Sequence, residues 1–445
     1  MTDSSATSPA PPSFGEAFRF WLKLGFINFG GPAGQIAIMS HELMDRRRWI
    51  SEPDFMAGLS FANLLPGPEA QQLATYIGWR LHGVKGALTA GILFVVPGAI
   101  VLWLLAWAAA AWGSVPAIAA VFWGMSAVVI AIIVGAGGRL GQRVMKRPAA
   151  LVIAAATLIS FHLADLTQGN VGNVPFPLIV GGALVIGAAV GLSGRSWFKS
   201  GAAHTTQSQR NPERPQLDGR REALRIGALC VVFCTLWIVP VIGVIATFGP
   251  TPFKDVATLF TKAAFVTFGG AYAVLPYIAD AAVNAYHWLA PADMVKGLAL
   301  AETTPGPLIL VTQFVGFFAG WNQPGMLSPA LAGLIAAALT TWVTFLPCFL
   351  FILVGAPYIA ILARFTWTGE ALAALSAAVV GAILSLAITL GLAVLWPAAQ
   401  GHALDWWAAA LAVAALIALV RFKISILWLV LVGGAVGLLR LAVGF

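Results

Sequence analysis

The chain has 445 residues, of which 60% are apolar and only 9% charged, with a mean hydropathy of +0.88. So little polar surface cannot cover a soluble globule of this length, which makes lipid the solvent and the chain an integral membrane protein. The net charge of +8 is dispersed over loops between apolar segments, a topology signal and not a nucleic-acid footprint.

Residues 1–13 are rich in Ser, Pro and Ala and lack a basic n-region before an apolar core, so they read as a disordered tail and not as a signal peptide. A first unit follows over 14–194. Uncharged stretches such as Ala87 to Gly113, and later Ala330 to Pro347, reach or approach the roughly 20 residues that cross about 30 Å of hydrocarbon. The alternating polarity of a lipid-embedded barrel is absent, so backbone groups must be satisfied within helices and the fold is an all-α polytopic one. The hydrophilic stretch 195–225 holds seven Lys/Arg against three Asp/Glu and reads as a basic linker. An apolar segment, 226–248, forms a connecting transmembrane helix, and a second unit occupies 249–445.

The two units are related. An offset of 239 residues aligns Lys23 with Lys262, Phe29-Gly30-Gly31 with Phe268-Gly269-Gly270, Trp49 with Trp288, Asp54 with Asp293 and Pro66-Gly67-Pro68 with Pro305-Gly306-Pro307. This gives 13 identities over the 46 positions from Lys23 to Pro68, weighted toward Gly, Pro, Trp and Lys, and marks a duplication. Loop charge points to opposite orientations for the two copies. Arg46-Arg47-Arg48 lie between the motifs of the first, whereas Asp280 to Asp293 of the second contain no Lys or Arg. With Arg139, Arg143, Lys146, Arg147 and the linker inside, the single connecting span inverts the second repeat and leaves the N-terminus cytoplasmic. Pro53 to Trp79 reads as a hairpin turning at Pro66-Gly67-Pro68; if each motif helix instead spans fully, the count is six plus one plus six. The expected architecture is therefore two inverted repeats with broken helices or re-entrant hairpins at the FGG and PGP motifs and roughly 9 to 13 spans.

Helix breaks at membrane depth are tolerated only where protein or water receives the freed backbone groups, so the motifs mark a cavity. First-turn N–H groups after each PGP lack intrahelical partners and carry about half a positive charge, which suits an anion. Candidate anion-binding positions are Gly30, Gly31, Asn63, Pro66, Gly67, Pro68, Gln71 and Gln72 in the first copy, and Gly269, Gly270, Thr303, Thr304, Pro305, Gly306, Pro307 and Gln313 in the second. Lys23 and Lys262 lie two helical turns before the glycines and form a candidate cationic pair. Glu302 first and Glu69 second are candidate proton carriers, because a protonated carboxyl avoids repelling an anion.

No cofactor is implied. Six scattered histidines show no metal-ligand spacing, and Cys230, Cys234 and Cys348 lie in apolar runs as small hydrophobes. No nucleophile–base pair and no Walker A motif is present, so the chain reads as neither an enzyme nor a direct ATP-driven pump.

The runs F-G-G-P-A-G-Q-I from Phe29, N-L-L-P-G-P-E-A-Q-Q from Asn63 and Y-I-G-W from Tyr76, with F-G-G-A-Y-A-V-L-P from Phe268 and A-E-T-T-P-G-P from Ala301, resemble the long, two-domain form of the chromate ion transporter family. The resemblance implies a multi-pass protein of the cell membrane, a secondary transporter that exports chromate with sulfate as the competing or natural anion. It carries over to the FGG and PGP motifs and to Gln71 and Gln72. Glu42 has no acidic counterpart at Ala281. A passive anion channel and a sulfate uptake carrier are the alternatives, and a homodimer is compatible with a carrier of this design.

Overall fold

The structure, a computed structural model, describes residues 12–167, 174–198, 219–268, 270–359, 367–397 and 403–444. Among them every regular element is helical. In the first copy these are α1 (Phe14–Ile27), α2 (Gly31–Ser40), α3 (Glu52–Leu64), α4 (Glu69–Trp112), α5 (Pro116–Val144), α6 (Pro148–Phe161), a single turn α7 (Leu163–Leu166) and α8 (Phe176–Leu192). After α9 (Gly219–Phe248) come α10 (Phe253–Val266), α11 (Ala271–Asp280), α12 (Pro291–Thr303), α13 (Val311–Asn322), α14 (Pro329–Gly355), α15 (Trp367–Leu395), α16 (Trp406–Arg421) and α17 (Ile426–Ala442). Five helices, α4, α5, α9, α14 and α15, are long and apolar enough to cross a membrane, and α6, α8, α16 and α17 are shorter apolar helices.

The duplication extends to backbone detail. Both copies follow the second helix with a π-helical turn, His41–Arg46 and Ala281–Ala285. Both then force a non-glycine residue to positive φ, Arg48 at 53° and His287 at 52°, positions separated by 239. The tryptophan after each closes the turn with an N–H donated to a carbonyl six residues back, Trp49 to Leu43 and Trp288 to Ala282, both at 2.8 Å. In the first copy the basic triplet is tied down locally: Arg46 and Arg47 pair with Glu42 at 3.0 and 3.4 Å, and the Arg47 guanidinium lies over the rings of Phe20 and Trp49.

The PGP motifs turn hairpins. α3 has 13 residues, about 20 Å of helix and too short to cross the bilayer alone. It packs back along α4, with Gly58 against the ring of Tyr76; in the second copy Gly297 of α12 meets the ring of Phe314 on α13. α4 then leaves helical geometry at His82 and Gly83, so its N-terminal arm corresponds to α13 and its long second arm to α14.

The copies exchange partners. α5 packs on α16 and α17, α15 packs on α6 and α8, α5 meets α15, and α4 meets α14. α9 is mostly exposed on an apolar surface and touches mainly α14 and α10, as befits a connector facing lipid.

Two segment boundaries differ from expectation. Residues 219–225, assigned to the linker, are the first two turns of α9, because Glu222 pairs with Arg225 and both reach α14's end through Tyr358 Oη and the Leu353 carbonyl. At the other end, Pro12 and Ser13 are fixed and not part of a disordered tail. Ser13 caps α1 in a capping box with Glu16, and the Pro12 carbonyl lies 2.9 Å from His82 Nε2. Residues 1–11 and 199–218 lie outside the described residues.

Candidate functional site

Each PGP motif is fastened to the FGG break of the other copy. Gly67 N–H donates to the Thr267 carbonyl at 2.6 Å, and Gly306 N–H donates to the Asn28 carbonyl at 3.0 Å. Positions 28 and 267 are equivalent, each the residue before Phe-Gly-Gly, as are 67 and 306, so one bond is the image of the other. These staples satisfy carbonyls left open at the ends of α1 and α10, while the N-terminus of α2 and the 3-10 turn Leu308–Leu310 that leads into α13 open at one crossing and the N-termini of α4 and α11 at the other. Charge balance at the crossings is thereby tipped toward the positive helix ends.

Glycine is required there. Gly67 and Gly306 have φ of 127° and 104°, where a Cβ is strained. A Cβ at 67 would also lie 2.7 Å from Cys348 Sγ and from Gln72 Nε2. A further exchange supports each turn from the long helices: Pro97-Gly98 of α4 faces the second PGP, and Pro347-Cys348 of α14 faces the first. Gly98 is so close to Pro305 that an added Cβ would be 2.0 Å from its carbonyl oxygen.

Polar side chains line the crossings unequally. At the Asn28–Gly306 crossing, Gln35 Nε2 donates to the Gly306 carbonyl at 2.6 Å and lies 3.4 Å from that of Asn28. The Asn28 side chain is fully buried, and among the described residues neither its Oδ1 nor its Nδ2 has a partner. Gln71 donates to Thr75 Oγ1, Gln72 to the Pro66 carbonyl and Gln313 to the Ala99 carbonyl, and the Oε1 of each, like that of Gln35, is buried without a partner. At the Thr267–Gly67 crossing Gln72 is joined by acidic and phenolic groups. Glu69 Oε1 lies 3.9 Å from where a Cβ on Gly270 would sit. Tyr272 Oη donates to Glu302 Oε1, and Arg139 of α5 is within electrostatic reach of the same carboxylate.

A profile described as chromate transporter matches residues 15–192 and 254–438, two regions that bracket α9. The chain belongs to the chromate transporter family. Its sequence is 30% identical to a chromate transport protein of Pseudomonas aeruginosa over 79% of this chain and 75% of that one. It is 28% identical to a chromate transport protein of Cupriavidus metallidurans over 76% and 73% of the two, and 27% identical to a probable chromate transport protein of Synechococcus elongatus over 80% of each. No solved structure matches it.

Of the positions expected to carry this chromate transporter family member's site, the structure gathers Pro66, Gly67, Pro68, Gln72, Gly270, Pro305, Gly306, Pro307 and Glu69 around the crossings. Gln71, Gln313 and Glu302 stand buried within a turn or two. Gly31 opens α2 half-buried, while Gly30 is exposed at its cap. Thr303 and Thr304 spend their hydroxyl protons on carbonyls of their own helix. Asn63 is exposed. Gly269 lies outside the described residues.

Lys23 and Lys262 are exposed on α1 and α10 and are not brought to the breaks. Two-turn spacing failed for a local reason: α1 ends at Ile27, and Gly30 caps the next helix with φ of 93°, so the helical face holding Lys23 does not continue to it. Lys23 shares its surface with exposed Phe18, Leu22 and Phe26 and borders a cleft of about 10 Å³ beside Glu42, too small for a tetrahedral anion. A larger cavity of about 330 Å³ lies between Leu64, Phe268, α8 and α15, but its lining is almost wholly apolar. Asn28, Gln35, Tyr272 and Gly98 were missed. Gln35 stands in the first FGG motif and Asn28 directly before it, polar residues in an otherwise apolar run, and Tyr272 stands likewise in the second FGG motif; Gly98 carries no such signal.

Proposed function

We propose that this chain is a secondary carrier that moves chromate out of the cytoplasm, binding the dianion where the PGP turns cross the FGG breaks and coupling its passage to protons. The observation that carries the reading is the reciprocal pair of bonds, Gly67 to Thr267 and Gly306 to Asn28. They join the copies at paired helix N-termini, and at the Asn28–Gly306 crossing these stand beside buried neutral amides, a lining suited to an oxyanion. Sulfate has the same shape and charge, so it competes for the same seat. Glu302 and Glu69 are the candidate proton carriers.

An inverted arrangement of the copies is supported by loop charge read along the helices. With the PGP segments as re-entrant hairpins, the second arm of α4 and then α5, α6, α8, α9, α14, α15, α16 and α17 cross in turn. That order puts Arg80 and Lys85, Arg139 to Arg147, Arg195, Arg220 to Arg225, and Arg421 with Lys423 on one side. The opposite side holds Lys254, Lys296 and Arg440 with Asp255, Asp280, Asp293 and Asp405. The basic side is the cytoplasm. The contact of His82 with the Pro12 carbonyl supports a start of α1 on that same side.

The test is flux of labelled chromate into proteoliposomes under an imposed pH gradient. Saturable uptake that follows the gradient is expected. Current without saturation would make the chain a channel, and labelled sulfate moving in the uptake direction in place of chromate would make it a sulfate carrier.

A further inference from the structure

The two crossings are geometric images of each other but differ in chemistry. At the Asn28–Gly306 crossing the gathered side chains are neutral amides. Among the described residues, Asn28 is fully buried with donor and acceptor both unpartnered, and Gln35 is held by the Gly306 carbonyl with its own oxygen without a partner. Their counterparts in the second copy are Thr267, whose hydroxyl is spent on the Ala263 carbonyl, and Val274, which has no polar group. At the Thr267–Gly67 crossing the amide of Gln72, held by the Pro66 carbonyl, is joined by Glu69, beside Gly270, and Tyr272, two residues further on; the last two make this crossing acidic. Their counterparts are Leu308 and Ala33.

Glu302 joins the two. It grows from α12 one turn before Pro305, next to the amide crossing, yet its carboxylate is bonded to Tyr272 in the first turn of the helix leaving the acidic crossing. The equivalent pair in the first copy, Ala33 and Asn63, cannot form this link. Charged neighbours are few. Among the described residues only Tyr272 and Arg139 bear on Glu302, with nothing charged from α4, α13, α15 or α17, and no charged group bears on Glu69 from the elements packed against α4.

We propose that the crossings divide the work: Asn28 and Gln35 form the seat for the tetrahedral dianion, while Tyr272 is a positioning residue that draws the Glu302 carboxylate away from that seat toward Glu69, where protons are taken up and released. A buried amide with no protein partner loses roughly a hydrogen bond's worth of free energy per open atom unless a polar ligand meets it, and Asn28 has two such atoms. A carboxylate one turn from the seat would repel a dianion in a medium of low dielectric, so its retention by Tyr272 separates the two charges. Glu302 and Glu69 each take up and give back one proton, and the Tyr272 phenol keeps its own.

This division rests on the carrier reading, and the experiment separates the two. Chromate flux in proteoliposomes is measured against pH for the native protein, Asn28→Leu, Gln35→Leu, Tyr272→Phe and Glu69→Gln, with equilibrium binding of labelled chromate to purified protein alongside. Asn28→Leu removes unpartnered polar atoms at nearly constant shape, so folding is expected to be unharmed. Its KM and binding constant should rise roughly tenfold, the loss of a bond to a charged ligand, with the pH midpoint of flux unmoved. Gln35→Leu should do the same. Tyr272→Phe and Glu69→Gln should displace that midpoint by about half a unit or more while chromate binding at acidic pH stays within about twofold. Asn28→Leu with native binding, or Tyr272→Phe with a native pH profile, would overturn the division. Native flux indifferent to pH would instead overturn the proton-coupled reading beneath it.

Discussion

Replacing Gly98 by Ala tests the crossing most sharply, because the substitution is favourable everywhere except at one contact. Position 98 lies inside α4, where Ala is a better helix former than Gly by about 1 kcal/mol, and the φ is an ordinary helical one. The added Cβ, however, would stand 2.0 Å from the Pro305 carbonyl oxygen and 2.9 Å from its carbon. Restoring normal contact moves the second PGP turn by more than about 1 Å, since carbon and oxygen pack at roughly 3.4 Å. That shift opens the bond from Gly306 to Asn28 and the one from Gln35 to Gly306. Two such bonds are worth about 1 kcal/mol each and overpacking about 1 to 3 kcal/mol, which against the helical gain leaves a net loss of about 2 to 4 kcal/mol. Chromate flux in proteoliposomes should fall at least tenfold, and the melting midpoint in detergent should drop by several degrees, with membrane insertion preserved. Cys348→Ala, at the corresponding place in α14, removes atoms instead of adding them and should retain most of the flux. A Gly98→Ala protein with native flux and native melting would refute the reasoning.

Gly67→Val and Gly306→Val place a branched side chain at φ of 127° and 104° and should abolish flux without loss of insertion, checked by transport and by membrane fractionation. Asp405 caps α16 at Ala408 N–H, accepts from Trp123 Nε1 and pairs with Arg440, which lies over the Trp123 ring; Asp405→Ala strands that arginine and should cost about 3 to 5 kcal/mol, read as a lowered melting midpoint. Partial burial works against the charge on Glu42, but Arg46 and Arg47 outweigh it and hold the carboxyl below its ordinary value. Stability from this clamp is therefore present at neutral pH and fades as pH falls through the acid range, so Glu42→Gln should flatten the acid side of the melting curve. For orientation, a cysteine at Gln323 should react with a membrane-impermeant thiol reagent from outside and one at Phe422 only from inside; reaction of both from the same side would contradict the helix order proposed.

The membrane setting and the duplication were legible because both are written in composition and in rare residues held at fixed spacing. The breaks at Phe-Gly-Gly and Pro-Gly-Pro were legible for the same reason, as the backbone there excludes most side chains. What joins the breaks was not. The bond from Gly67 to Thr267 connects residues 200 positions apart through backbone atoms, which leave no mark on residue choice at Thr267. Gly98 looked like one more small residue in an apolar helix, and its meaning appears only when Pro305 is set against it. Lys23 was misplaced because helical periodicity was carried across a helix end. Tyr272 lies within the second Phe-Gly-Gly motif, but its partner Glu302 is 30 positions away and its counterpart Ala33 is apolar, so its role is visible only in the folded chain. Repetition reveals what the copies share, while the chemistry that makes one crossing acidic lies in how they differ.

The central claim is tested most directly by chromate flux in proteoliposomes containing the purified chain, measured over a range of chromate concentrations with and without a pH gradient. Saturable flux that rises when the gradient is imposed and is competed by sulfate is expected. Chromate movement no faster than in protein-free vesicles would contradict it.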